Sequence, residues 1–171
     1  MRPYRRSDAR AVYDAIHESA GEVSRWLPDM SAELSLADVT GYISVQQKAW
    51  GKDIAYSFVI VDQRTKGIIG GCGITQINRR HNFANMYYWV RSSRTRDGIA
   101  THAIRLLARF GIESVRLQRV EIVVALENRA SLRVAEKAGA KREGTLRKRI
   151  TVGNTVHDAA MFSLVAEDLG L

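Results

Sequence analysis

The chain has 171 residues, of which 46% are hydrophobic and 26% charged, the balance of one globular domain with its own core. Lys and Arg number 26 against 18 acids, a formal charge of +8, which favours an anionic partner such as a nucleotide, nucleic acid, ribosome or acidic protein, with a merely basic surface as the bland alternative. A single cysteine, Cys72, excludes an intramolecular disulfide and a cysteine-based zinc site, no run approaches the roughly 18 apolar residues of a membrane span, and the basic Met1–Arg10 stretch lacks the apolar run of a signal peptide. A cytoplasmic protein with no membrane partner is the expectation.

Ser7-Asp8 starts a predicted helix that carries Val12, Ala15, Ile16 and Ser19 on one face and is closed by Gly21. A second helix begins near Ser35 and carries Val39, Tyr42, Ile43 and Trp50. The β-branched and aromatic run Ile54–Val61 reads as a strand, Asp62–Gly67 as a turn, Ile68–Ile77 as a glycine-bearing strand and Phe83–Val90 as another. Residues 98–112 form an amphipathic helix with Ile99, Ala103, Leu106, Leu107 and Phe110 inward. Val120–Leu126 is a buried strand, Asn128–Ala138 a short helix stopped by Gly139, and Gly144–Val152 and His157–Leu164 a hairpin turning at Gly153-Asn154. The order implies an α/β fold with a mixed sheet, in which Phe83–Val90, the helix and Val120–Leu126 make a right-handed parallel crossover.

The junction from Trp89 to Thr101 carries the chemistry. A strand runs into a loop, and the loop opens a long helix whose first-turn N–H groups are free and positive. Gly98 and Ala100 let an anion approach the backbone, and Arg91, Arg94 and Arg96 add charge. This suits a pyrophosphate; a solvated basic loop is the alternative. The spacing fits neither a P-loop nor a dinucleotide fingerprint.

Thr95-x-x-Gly98-x-Ala100 resembles the GNAT acetyltransferase motif. The run from Gly98 to Leu107, the strand Phe83–Val90, Asn128-Arg129-Ala130-Ser131, Glu136-Lys137-Ala138-Gly139, Arg142-Glu143-Gly144 and the opening Pro3–Ala9 resemble its RimJ/RimL-like branch. The resemblance implies the GNAT (acyl-CoA N-acyltransferase) fold over residues 1–171 as one domain: a mixed, mostly antiparallel sheet with a splayed parallel strand pair, flanked by helices. It implies acetyl-CoA as cosubstrate, with no metal. The pantetheine arm would run beside Trp89 and Val90, and the pyrophosphate would sit on Arg96, Asp97, Gly98, Ile99, Ala100 and Thr101 near Arg91. Asn128 would contact pantetheine amides and Ser131 would lie near the sulfur. Asn128 equally suits a helix cap.

Amide formation from a thioester needs a neutral amine, donors for the oxyanion and help for the departing thiolate. A covalent intermediate is unnecessary, so Cys72 reads as a small apolar strand residue. The tyrosine that many such enzymes place before the Glu-Lys pair is Ala135 here, which leaves Ser131 as thiolate partner. The strand glutamate common in the family is Asn85, and Glu121 is a weak substitute as base. That favours a low-pKa α-amine over lysine, and hence a protein or peptide N-terminus, ribosomal or acidic. A small-molecule amine, an antibiotic, or a non-catalytic nucleic-acid or ribosome-binding role are the alternatives. His157-Asp158 reads as structural, and oligomeric state, a homodimer included, stays open.

Overall fold

β-Branched and aromatic runs build the central strands, and a 3.6-residue apolar period builds the helices that cover them. The computed structural model describes residues 1–171. In chain order it holds β1 (Arg2–Pro3), α1 (Ala9–Val23), α2 (Leu36–Gly51), β2 (Tyr56–Val61), β3 (Ile68–Asn78), β4 (Phe83–Val90), α3 (Ile99–Glu113), β5 (Arg119–Ala125), α4 (Arg129–Lys137), β6 (Lys141–Val152) and β7 (Thr155–Leu164). Short 3-10 turns span Arg6–Asp8, Ser92–Arg94 and Ala166–Leu169. The strand order is β1-β2-β3-β4-β5-β7-β6, a seven-stranded mixed sheet whose parallel pair is β4–β5.

The chain divides into two compact units, Met1–Gly73 with Tyr88–Ile99, and Ile74–Tyr87 with Ala100–Leu171. In the first, β1 pairs antiparallel with β2 at Arg2↔Val59 and Pro3↔Phe58. Sequence alternation cannot reveal a two-residue strand, and Pro3 is tolerated only at such an edge. The first helix starts at Ala9, because Arg6–Asp8 forms a tighter turn in which the Asp8 carboxylate accepts the Arg5 N–H at 2.7 Å and pairs with Arg2. Gly21 does not close α1: the helix continues through it to Val23. The start of α2 matches a capping box, with Ser35 Oγ accepting the Asp38 N–H at 3.2 Å and Asp38 accepting the Ser35 N–H at 2.9 Å.

In the second unit, the buried stripe of α3 is Ala103, Ile104, Leu107, Ala108 and Gly111. Leu106, expected inward, is 40% exposed; Ile104 and Ala108 take its place, as a continuous i, i+3, i+4 stripe requires. Gly111 lets α3 approach the sheet, since a Cβ there would stand 2.9 Å from Ile74 Cδ1 and 3.0 Å from Val120 Cγ1. The β4–β5 register runs Phe83↔Arg119, Ala84↔Val120 and Asn85↔Glu121. Strand β7 inserts between β5 and β6, pairing antiparallel with both, which leaves β6 at the sheet edge.

Candidate active site

The loop from Arg91 to Gly98 lies in the first unit and is clamped from three directions. The Arg91 N–H donates to the Ile69 carbonyl at 2.9 Å. From α1, Ser19 Oγ accepts the Ser92 N–H at 3.0 Å, Glu18 accepts the Ser93 N–H at 3.2 Å and pairs with Arg91 Nε at 2.6 Å, and Glu22 accepts Ser92 Oγ–H at 2.8 Å. From the β2–β3 turn, Asp62 binds Arg94 Nη1 at 2.7 Å, and Arg94 Nε also reaches Asp97 at 3.2 Å. Hydrogen bonds from Ser93, then Arg91, hold Glu18 below the usual carboxylate range. The Thr65 N–H, then Arg94 and the Arg64 N–H, bring Asp62 down to about 2.

Two of the loop's three arginines are therefore engaged in holding it. Arg96 is exposed and takes part in no ion pair. It adopts φ +71° and Gly98 φ +74°, so the chain turns twice through left-handed backbone before α3 begins at Ile99. A Cβ on Gly98 would meet nothing within 4 Å. Packing does not demand glycine there; the backbone angle does, and the space in front of it is open. Ile99, Ala100 and Thr101, the first turn of α3, are all partly exposed, leaving N–H donors for an anion. The residues fit a pyrophosphate on this observation.

Trp89 is a core residue, 4% exposed. A Cβ on Gly70 would collide with its carbonyl oxygen, and one on Gly71 would stand 2.6 Å from its Nε1 and 2.5 Å from Tyr4 Oη. The two glycines of β3 make room for this indole, and the half-buried Val90 follows it. Cys72 in β3 is fully buried, and burial pushes its thiol up to about 12, inert as a nucleophile.

The second unit holds the other expected residues. Asn128 Oδ1 accepts the Ser131 N–H at 3.1 Å and caps α4, while its own N–H donates to Ala125 at 2.9 Å. Capping uses the side-chain oxygen and leaves the Nδ2 donors for a ligand. Ser131 is half-buried in the first turn of the helix, and Ala135 is a methyl sealed in the core. His157 and Asp158 do not pair with each other: His157 Nδ1 lies 3.2 Å from Glu127, and the Asp158 carboxylate accepts the Lys148 N–H at 2.7 Å.

Glu121 sits opposite Asn85 across β4–β5. Its carboxylate lies 3.1 Å from Arg119 Nε, close enough to pair charges but out of line for a hydrogen bond. Arg119 grips Glu143 with both Nη atoms at 2.9 and 2.7 Å, and Ser163 Oγ donates to Glu143 at 2.7 Å. Arg119, then Ser163, keep Glu143 below its ordinary value. Asn85 Oδ1 is buried with no donor. Sequence reasoning marked Asn85 only as a missing carboxylate; its orphaned oxygen is visible once the strands are paired. The clamp residues Glu18, Ser19, Glu22 and Asp62 carried no signal, since they reach the loop across 32 to 75 residues of chain.

Comparison with known proteins gives this geometry a context. The family model described as "Acetyltransferase (GNAT) domain" matches residues 1–141. The N-acetyltransferase YoaA of Bacillus subtilis (strain 168), itself uncharacterized, is 28% identical over 161 residues, 92% of this chain and 88% of its own. The structure of Mycobacterium smegmatis RimJ in complex with CoA-disulfide superposes with a TM-score of 0.90 at 26% identity, covering 99% of this chain and 83% of that one. A Vibrio cholerae structure named as a candidate ribosomal-protein-serine acetyltransferase gives 0.81 at 25% identity, covering 96% and 91%.

Proposed function

Because the chain belongs to the GNAT acetyltransferase family, and is an N-acetyltransferase by that membership, we propose that it moves the acetyl group of acetyl-CoA onto the α-amine of a protein or peptide N-terminus, with a ribosomal protein as leading acceptor. The observation that carries this reading is Asn85. Its buried oxygen lacks a donor, it occupies the strand position where a carboxylate base would stand, and the carboxylate opposite, Glu121, is held against Arg119. Such a site has no strong base to strip a proton from an ammonium. It suits an amine that is already neutral: at pH 7.5 roughly a third of α-amines are, against about one lysine in a thousand.

Residues 1–171 are read as one acetyltransferase domain. The backbone of Gly98, Ile99, Ala100 and Thr101 holds the pyrophosphate, with Arg96 and Asp97 beside it and Arg91 bracing the loop. Trp89 and Val90 offer main chain to the pantetheine, as does Asn128 through Nδ2, and Ser131 supports the departing thiolate. The buried thiol of Cys72 suits a reducing compartment such as the cytoplasm. The ribosomal assignment draws on the Vibrio cholerae neighbour's name, on the RimJ/RimL-like pattern and on the +8 charge.

The test measures thiol release with a free-N-terminus peptide, with the same peptide N-blocked but bearing lysine, and with a small polyamine. Release from the free peptide alone, with a rate that levels off above about pH 8, is expected. Faster turnover of the lysine peptide, or of the polyamine with no response to either peptide, overturns the reading.

A further inference from the structure

We propose that a three-residue bulge in β6, Arg147-Lys148-Arg149, is a docking site for an acidic segment of the acceptor polypeptide just downstream of its reacting N-terminus; this rests on the protein-amine reading above. The β6–β7 register passes from Leu146↔Ala159 to Ile150↔His157, so three residues of β6 face the single residue Asp158. Lys148 adopts φ +49° and its N–H donates to Asp158 Oδ1 at 2.7 Å. A carboxylate thus pins the bulge open. All three cations on it are exposed, and none takes part in an ion pair.

Basic residues on an edge strand commonly serve only to deter pairing between sheets. A bulge already spoils the edge for that purpose, so three further cations held on a braced arch exceed the need. Their placement points the same way. The Asp158 carbonyl accepts the Leu126 N–H at 3.0 Å, and its neighbour His157 binds Glu127. The two β7 residues that hold the bulge therefore also hold the turn leading to Asn128, two residues further on. From the end of β5 across β7 to β6 is two strand spacings, about 10 Å, or some three residues of extended chain. An amine at the Asn128–Ser131 turn would bring roughly the third to fifth residues of its own chain to the arch. Arginine forks suit carboxylates. The outer side of β6 faces no strand, and its free main-chain groups match an extended peptide rather than a nucleic acid.

The experiment compares kcat/KM by thiol release for peptides sharing one free N-terminal residue, with Asp and Glu, or Asn and Gln, at positions three to five. The wild type should prefer the acidic peptide by roughly three- to tenfold, the scale of two exposed charge pairs. That preference should disappear in Arg147→Gln/Arg149→Gln and in about 0.5 M salt. Asp158→Ala, which keeps the cations but frees the bulge, should weaken it, with circular dichroism confirming that each variant folds. Equal rates on both peptides in the wild type, or an undiminished preference in the double variant, overturn the docking site and leave the protein-amine reading standing. No release from any free-N-terminus peptide overturns both. Inhibition by a short RNA that the double variant escapes, without peptide discrimination, reassigns the arch to nucleic acid.

Discussion

At Gly98 a left-handed backbone angle coincides with empty space where a side chain would stand. Gly98→Val should cost about 1–2 kcal/mol of stability for the angle alone, leave the far-UV spectrum native, and abolish acetyl-CoA binding by filling the space a phosphate needs. Unchanged affinity by calorimetry would move the pyrophosphate elsewhere. Asn128 caps α4, and the proposed function gives it a second role that substitution separates from the first. Asn128→Ala loses the α4 cap, about 1 kcal/mol, along with the Nδ2 donor; Asn128→Asp keeps a capping oxygen and loses only the donor. Both should raise KM for acetyl-CoA, and only the first should lower Tm. Ser131→Ala should reduce kcat by about tenfold or more with little change in that KM, since the proposed function has its hydroxyl act as charge develops on sulfur. Full turnover at saturation would leave water as the proton source.

The β4–α3 loop owes its shape to α1 and the β2–β3 turn, through Glu18, Ser19 and Asp62. Asp62 titrates at about 2 in the folded protein against an ordinary 3.8. A depressed folded pKa means its contribution is fully present above pH 4 and is lost as the pH falls through about 2. The protection factors of residues 92–98 in amide exchange, taken relative to the intrinsic rate at each pH, should therefore fall on acidification between pH 4 and 2. In Asp62→Asn the protection factors should already be low at pH 7 and change little over that range; an acid response identical to wild type would detach the clamp from this carboxylate. Strand β3 faces a steric demand instead. Gly71→Ala would drive a methyl against Tyr4 Oη and the Trp89 indole and should cost about 1–3 kcal/mol in urea unfolding, as overpacking does.

On the proposed function, acetyl-CoA binds the folded chain and not the unfolded one, so it should stabilise the protein. At about one hundred times Kd it adds about 2.7 kcal/mol, or roughly 5–10 °C of Tm for a protein this size. One transition that moves as a whole is expected. An unshifted Tm would overturn acetyl-CoA binding. No helix is long and apolar enough to cross a membrane, and the +8 charge bears on partner choice rather than fold.

Local rules made much of this protein readable from residues alone. The β-branched and aromatic strand runs, the α2 start near Ser35, the Gly153-Asn154 turn and the Gly98-x-Ala100 helix start depend on neighbours within a few positions, and the structure holds all of them. Where neighbours in sequence compete with neighbours in space, space prevailed. Gly21 stays helical, Leu106 yields its inward place to Ile104 and Ala108, and Pro3 joins a strand because β2 offers it an edge. The roles of charged residues were the least legible. Arg91, Arg94 and Arg96 look alike in sequence, yet two are neutralised by carboxylates 32 and 73 residues away and one is not. Coulomb and hydrogen-bond energies act over a few ångströms of space. Which arginine stays available to a phosphate is decided only when the chain closes around it.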